Sequence, residues 1–174
     1  MGRTDVQRFA FCGIAEALLL WTGLFLGSSL ASIQARAEDW PKYGKDLANT
    51  AHSNETGINS KNVNSLQARW TFKAGVTISA TPAVVMIKQQ PVVFVGAWNG
   101  VFYALNASTG APIWSFTVDY VGGKCTQAVP WCRIGSSVAV DAANDMVFFG
   151  AFNAYLYALQ ASTGKFLMES ASGG

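Results

Sequence analysis

The side chains able to do chemistry are few and scattered. Cys125 and Cys132 stand seven positions apart, and Arg133 follows the second directly. A cysteine pair can close a disulfide or hold a metal, and a guanidinium can fork onto a carboxylate. Zinc needs a second ligand pair at short spacing, yet the single histidine, His52, is far away in sequence. A Cys125–Cys132 disulfide is therefore expected over two free thiols or a metal site. It would close an eight-residue loop and add ~2–3 kcal/mol. Ser108-Thr109-Gly110 and Ser162-Thr163-Gly164 offer hydroxyls, but a nucleophilic serine needs a positioned base, so both read as turns. Asp119, Asp141 and Asp145 have no spacing that pairs two carboxylates; each reads as a solvated turn residue.

Export would supply the oxidising surroundings that a disulfide needs. Arg3 and Arg8 precede an apolar block, Ala17 to Leu30, and Ala35-Arg36-Ala37 is a small-x-small site. That order describes a cleaved signal peptide over residues 1–37 and a periplasmic or secreted protein. An uncleaved membrane anchor is the alternative, with Glu16 as its cost in hydrocarbon; the membrane would be a partner only in that case. Cys12 comes too early to accept a lipid. Twelve Lys and Arg against ten Asp and Glu leave a net charge of +2 with no basic run, which argues against a nucleic-acid partner. A composition that is 51% hydrophobic excludes disorder.

The rest of the chain contains a repeat. Val93 to Gly110 reads VFVGAWNGVFYALNASTG and Val147 to Gly164 reads VFFGAFNAYLYALQASTG, an offset of 54 residues. Upstream, Thr81-Pro82-Ala83-Val84 matches Ser137-Val138-Ala139-Val140 at an offset of 56. Within the first copy, Pro82 to Ile87, Val92 to Ala97, Val101 to Asn106 and Ile113 to Val118 are short runs rich in Val, Phe and Tyr, separated by turn residues. Asn99-Gly100 is the strongest hairpin signal, since such a pair suits a two-residue turn with positive φ at both positions. Asn153-Ala154 in the second copy predicts a looser turn or one of another type. Four antiparallel strands recurring at this period predict an all-β chain built of β-propeller blades.

Ala104-Leu105-Asn106-Ala107-Ser108-Thr109-Gly110-Ala111-Pro112-Ile113-Trp114 resembles the tryptophan-docking motif of quinoprotein propellers, A-x-D-x-x-T-G-x-x-x-W, with Asn106 in place of Asp. The second copy keeps Ala158, Thr163 and Gly164 but has Gln160 and Met168 at the Asp and Trp positions, which predicts a weakened or missing docking contact. Asp39-Trp40-Pro41-Lys42-Tyr43-Gly44, followed by Ala68-Arg69-Trp70-Thr71-Phe72, resembles the opening of pyrroloquinoline-quinone (PQQ)-dependent alcohol dehydrogenases. Ser79-Ala80-Thr81-Pro82-Ala83-Val84 is most like the polyvinyl-alcohol dehydrogenase branch. On their own terms Trp40, Tyr43, Trp70 and Phe72 read as packing aromatics.

The resemblance implies an opening segment over 38–76 that helps to close the ring with the last blade. Blade 1 would follow over 77–120, and a truncated blade 2 over 121–174 would stop partway through its last strand. For the complete enzyme it implies PQQ with calcium, an alcohol substrate and an electron acceptor. Relatives place adjacent cysteines over the quinone and an arginine just after them; here the cysteines are separated, and Arg133 is the one candidate cofactor contact. Ser79 stands where methanol-oxidising relatives have an acidic residue. The remaining catalytic groups lie in later blades, so the expectation is the N-terminal part of a larger propeller, inactive alone and without a cofactor site of its own. Further blades or a partner chain would complete it. A non-enzymatic propeller scaffold and a degenerate remnant are the other two readings.

Overall fold

Runs of β-branched and aromatic residues punctuated by turn formers fold as short strands when both faces find apolar cover. In the computed structural model, which describes residues 38–120, 123–124 and 132–171, they do so twice. Strands β1 (Ala83–Ile87), β2 (Gln90–Gly96), β3 (Val101–Asn106) and β4 (Pro112–Thr117) form an antiparallel sheet in that order. A two-stranded ribbon follows, β5 (Asp119–Tyr120) with β6 (Gly123–Lys124). Then β7 (Ala139–Asp141), β8 (Met146–Ala151), β9 (Tyr155–Gln160) and β10 (Phe166–Ala171) make a second sheet of the same order. The expected signal peptide, Cys125 and Trp131 lie outside the described residues. Among those described, a 3-10 turn lies at Val63–Ser65, and no helix is long and apolar enough to cross a membrane.

The two sheets share one register. Phe94, Ala104 and Trp114 lie side by side across β2, β3 and β4, as Phe148, Ala158 and Met168 do across β8, β9 and β10. The second sheet thus has its four strands, and β10 is as long as β4. The core lies between the sheets. Phe94, Phe102, Val118, Ile134, Val147, Phe149 and Leu159 are fully buried there, and the rings of Phe102 and Phe149 stack with centroids 4.1 Å apart.

Two turn expectations change. Positive φ at both central positions occurs at Lys88 and Gln89, between β1 and β2. At Trp98-Asn99-Gly100 only the glycine has positive φ, +77°, while Asn99 Oδ1 accepts the Val101 N–H at 3.1 Å. The second copy has the same turn rather than a looser one: Asn153 Oδ1 accepts the Tyr155 N–H, the Ala154 N–H reaches the Ala151 carbonyl as Gly100 does that of Ala97, and Ala154 itself sits at φ +65°. The side-chain bond of the asparagine and strand pairing hold Ala154 in a conformation that its Cβ opposes. Ala154→Gly is therefore expected to stabilise the chain by ~0.5–1 kcal/mol, read as a higher urea midpoint.

The opening segment ties the free edges of β1 and β7. Trp40 pairs with Val84 through N–H···O bonds of 2.7 and 2.9 Å, and the Pro41 carbonyl accepts the Val140 N–H at 2.9 Å. Beyond this bridge the chain turns back, with Lys42 Nζ bonded to the Asp46 carbonyl and Asn49 Oδ1 and Lys45 paired to Glu38. Within the described residues this segment stitches the two sheets present.

Candidate functional site

A thin glycine and a flat indole make the contact that joins the sheets. Gly164 lies at φ +72°, and a Cβ there would fall 2.6 Å from the Trp114 ring. Trp114 Nε1 donates to the Ala161 carbonyl at 3.0 Å. The motif therefore works across sheets: the tryptophan of the first docks on the Thr-Gly turn of the second. Trp70 treats the first turn identically, with its ring 2.6 Å from a Cβ built on Gly110 (φ +74°) and its Nε1 2.8 Å from the Ala107 carbonyl. Trp70 is thus a docking residue rather than a packing aromatic. Leu66, not glycine, stands four residues before Trp70, so the motif pattern does not reveal it.

The second motif is a complete acceptor, and the expected weakness of its contact is confined to Met168, an exposed residue on β10. The two acceptor turns are held by different caps. Asn106 Oδ1 caps the Ser108 and Thr109 N–H groups within its own turn. Gln160 has a longer arm and caps differently, and Asp145 reaches over from the β7–β8 turn to accept the Ser162 N–H at 2.8 Å, its hydroxyl at 2.6 Å and Gln160 Nε2 at 3.1 Å. Lys88 from the first sheet adds an ion pair to Asp145 at 3.3 Å. Asp145 is a turn organiser, not a solvated loop carboxylate.

Burial opposes ionisation of Asp145, but the Ser162 hydroxyl and N–H, Gln160 and the Lys88 ammonium outweigh it and hold the carboxyl below its ordinary value. A depressed carboxyl stabilises fully above its unfolded value, about 3.9, and the gain is lost as pH falls through the folded one. Glu38, Asp46 and Asp141 are also held low, chiefly by Lys45, Thr50 and Asn144 respectively. Asp145→Asn is therefore expected to shrink, not abolish, the loss of stability below about pH 4, as urea midpoints measured across that range would record.

The second cluster lies at the end of the sheets marked by the β2–β3 and β8–β9 turns. The Arg133 carbonyl accepts the Phe152 N–H at 2.9 Å, and the Ile134 N–H donates to the Ala97 carbonyl at 3.2 Å. The backbone at 133–134 thus laces one turn to the other. The half-buried Arg133 guanidinium lies over the Trp98 ring, 4.5 Å from its centroid. Trp98 Nε1 in turn donates to Ser79 Oγ at 2.8 Å. Arg133 and Ser79, the two positions singled out by the resemblance, are brought together by a tryptophan that the sequence does not single out. Trp98 and Arg133 are far apart in sequence, so no local spacing could have announced the pair.

Cys132, just before Arg133, is fully buried and disulfide-bonded; Cys125, its expected partner, lies outside the described residues. Asp119 contributes its carbonyl to Asn153 Nδ2, and Asp141 is bonded within its own turn to Asn144. Neither carboxylate joins the Arg133 cluster through these bonds. Among the described residues, no group of three or more His, Cys, Asp or Glu could hold a metal ion.

Residues 40–174 match the sequence profile of the PQQ glucose/ethanol/alcohol dehydrogenase β-propeller domain. The chain is 32% identical over 141 residues to the quinohemoprotein alcohol dehydrogenase of Comamonas testosteroni, covering 80% of this chain and 19% of that protein. It is 31% identical over 160 residues to the 1-butanol dehydrogenase (cytochrome c) of Thauera butanivorans, covering 90% of this chain and 22% of the relative. The chain thus spans about a fifth of the length of these relatives. The crystal structure of the Comamonas enzyme superposes with a TM-score of 0.60 at 29% identity, over 77% of this chain and 19% of the enzyme. A europium-containing methanol dehydrogenase gives 0.61 at 24% identity, over 80% and 24%, a likeness of fold. With its two four-stranded sheets and docking tryptophans, the chain belongs to the PQQ glucose/ethanol/alcohol dehydrogenase β-propeller family.

Proposed function

We propose that this chain is the N-terminal part of an exported PQQ-dependent alcohol dehydrogenase and that it is inactive alone. The observation that carries the reading is the double docking of Trp70 on Gly110 and Trp114 on Gly164 within a stretch matched to that family. The open face of the second sheet supports a larger assembly. Phe148, Leu156 and Met168 occupy the positions of Phe94, Phe102 and Trp114, yet Leu156 and Met168 are exposed where Phe102 is fully buried and Trp114 half-buried. A further four-stranded sheet is the partner that this face fits, supplied by later blades or by another chain.

When bound, PQQ would supply the acceptor for the hydride that leaves the alcohol. The described residues fit that cofactor in part: Arg133 can take a carboxylate, while no metal-ligand set accompanies it. No reaction step is assigned to this chain. Signal-peptide cleavage near Ala37 and a Cys125–Cys132 bridge belong to the same proposal, as does a periplasmic or secreted location. The non-enzymatic scaffold remains the second reading, favoured by Ser79 standing where relatives carry an acid.

A graft tests it. Residues 38–174 replacing the matching fifth of the Comamonas enzyme are expected to leave PQQ- and calcium-dependent alcohol oxidation measurable, and Arg133→Gln in that graft to lower it about tenfold, near 1.4 kcal/mol of transition-state stabilisation. The full chain with PQQ and calcium is expected to show no dye-linked alcohol oxidation. A folded but inert graft would favour the scaffold, and turnover by the chain alone would refute the claim that essential groups lie elsewhere.

A further inference from the structure

Arg133 is held more firmly than a loop cation needs to be. Cys132 before it is buried in a disulfide, its own carbonyl is tied to Phe152, and Ile134 after it is tied to Ala97 and fully buried. Three fixed points leave the side chain as the part free to choose a direction, and that side chain lies on Trp98. The indole is itself fixed at both ends, through its backbone N–H to the Thr77 carbonyl at 3.1 Å and through Nε1 to Ser79 Oγ at 2.8 Å. A guanidinium stacked on an aromatic face keeps its in-plane N–H fork available, because the stack uses the π face and not the donors.

We infer that Trp98, anchored by Ser79, is a positioning residue that orients the Arg133 guanidinium for a planar carboxylate ligand. The inference rests on the proposed cofactor contact at Arg133 and deepens it. Ser79 then has a role in this chain: its hydroxyl accepts the indole N–H and sets the ring. Pre-ordering the guanidinium removes the rotamer entropy that a long cation otherwise loses on binding. The second copy has Phe152 at the place of Trp98, and no indole N–H is available there to be anchored.

The test separates positioning from packing. In the full chain, the Arg133 Nε–Hε proton signal in a nitrogen-15 spectrum is expected upfield of the other arginines through the ring current of Trp98. Trp98→Phe, which keeps a face but loses the anchor, is expected to retain a reduced shift. Trp98→Leu is expected to abolish it, and Ser79→Ala, which leaves the indole in place, to broaden or halve it. An Arg133 signal that is unshifted in the parent chain, or unchanged by Ser79→Ala and Trp98→Leu alike, overturns the inference. A second arm uses the active graft described above: Ser79→Ala should raise the PQQ concentration needed for half-maximal activity by about threefold to tenfold, with a smaller change in the rate at saturating PQQ. An unchanged PQQ requirement there overturns the orienting role. Loss of the ring-current shift in the variants, with Arg133→Gln leaving the graft fully active, would instead sink the cofactor contact while leaving the stack intact.

Discussion

Trp114→Ala is expected to destabilise the chain by about 2–4 kcal/mol, at the lower side of the range for deleting a large core aromatic because the ring is half-buried. Its indole lies on Gly164, donates to the Ala161 carbonyl and packs against Phe94 and Phe102, with ring centroids 5.7 and 6.0 Å away. Removing it leaves a carbonyl without its donor and a slot between the sheets. Because domains are stable by only about 5–15 kcal/mol, that loss would be a large part of the whole. Gly164→Ala attacks the same contact from the other side. The new methyl would overlap the ring and sit at a φ that alanine resists, for a cost of about 2–4 kcal/mol. Combining the two should cost clearly less than their sum, since one contact is lost twice. Urea denaturation of the two single variants and the double variant measures this coupling, and strict additivity would mean that the indole and the glycine do not act as one joint.

The same contact shows how far the sequence is legible. The repeat, the strand runs and the Thr-Gly turns are local signals, so the two sheets and their order follow from the pattern of Val, Phe, Tyr and Gly. What the pattern hides is where each tryptophan goes. Trp114 reaches the next sheet's turn, and Trp70 serves the first turn without a motif of its own. The sequence marks Asp145 only as a turn residue and hides its capping role for a related reason: it replaces in space the cap that Asn106 supplies in sequence, from a turn that belongs to another hairpin. The Arg133 cluster is half legible. A family pattern marks Arg133 and Ser79, but the stack that joins them depends on a long-range approach of Trp98 that no spacing encodes. The turn at Asn153-Ala154 fails in the opposite direction, because the asparagine bond and strand register impose on alanine a backbone that its own preference would avoid.

Gly96 and Gly150 are the same residue of the repeat, yet substitution by alanine is expected to give opposite outcomes. A Cβ on Gly96 would fall 2.1 Å from Ile134 Cγ2 and 2.8 Å from its Cβ. Ile134 is fully buried and its N–H is bonded to Ala97, so it has no room to retreat. A Cβ on Gly150 would meet Ser136 at 3.6 Å, an ordinary contact. Ser136 Oγ already accepts the Gly150 N–H at 2.7 Å and donates to its carbonyl at 3.0 Å, and neither bond involves the added methyl. Gly96→Ala is therefore expected to cost about 2–3 kcal/mol, the overpacking range, while Gly150→Ala should stay within about 0.5 kcal/mol of the parent. The difference reaches the candidate site, since pushing Ile134 away from Ala97 shifts the backbone that carries Arg133. Gly96→Ala should weaken the Arg133 ring-current shift as well as the urea midpoint, whereas Gly150→Ala should change neither. Equal losses in the two variants would mean that the segment 132–136 does not lock the first sheet's turn, and the case for a fixed guanidinium would go with it.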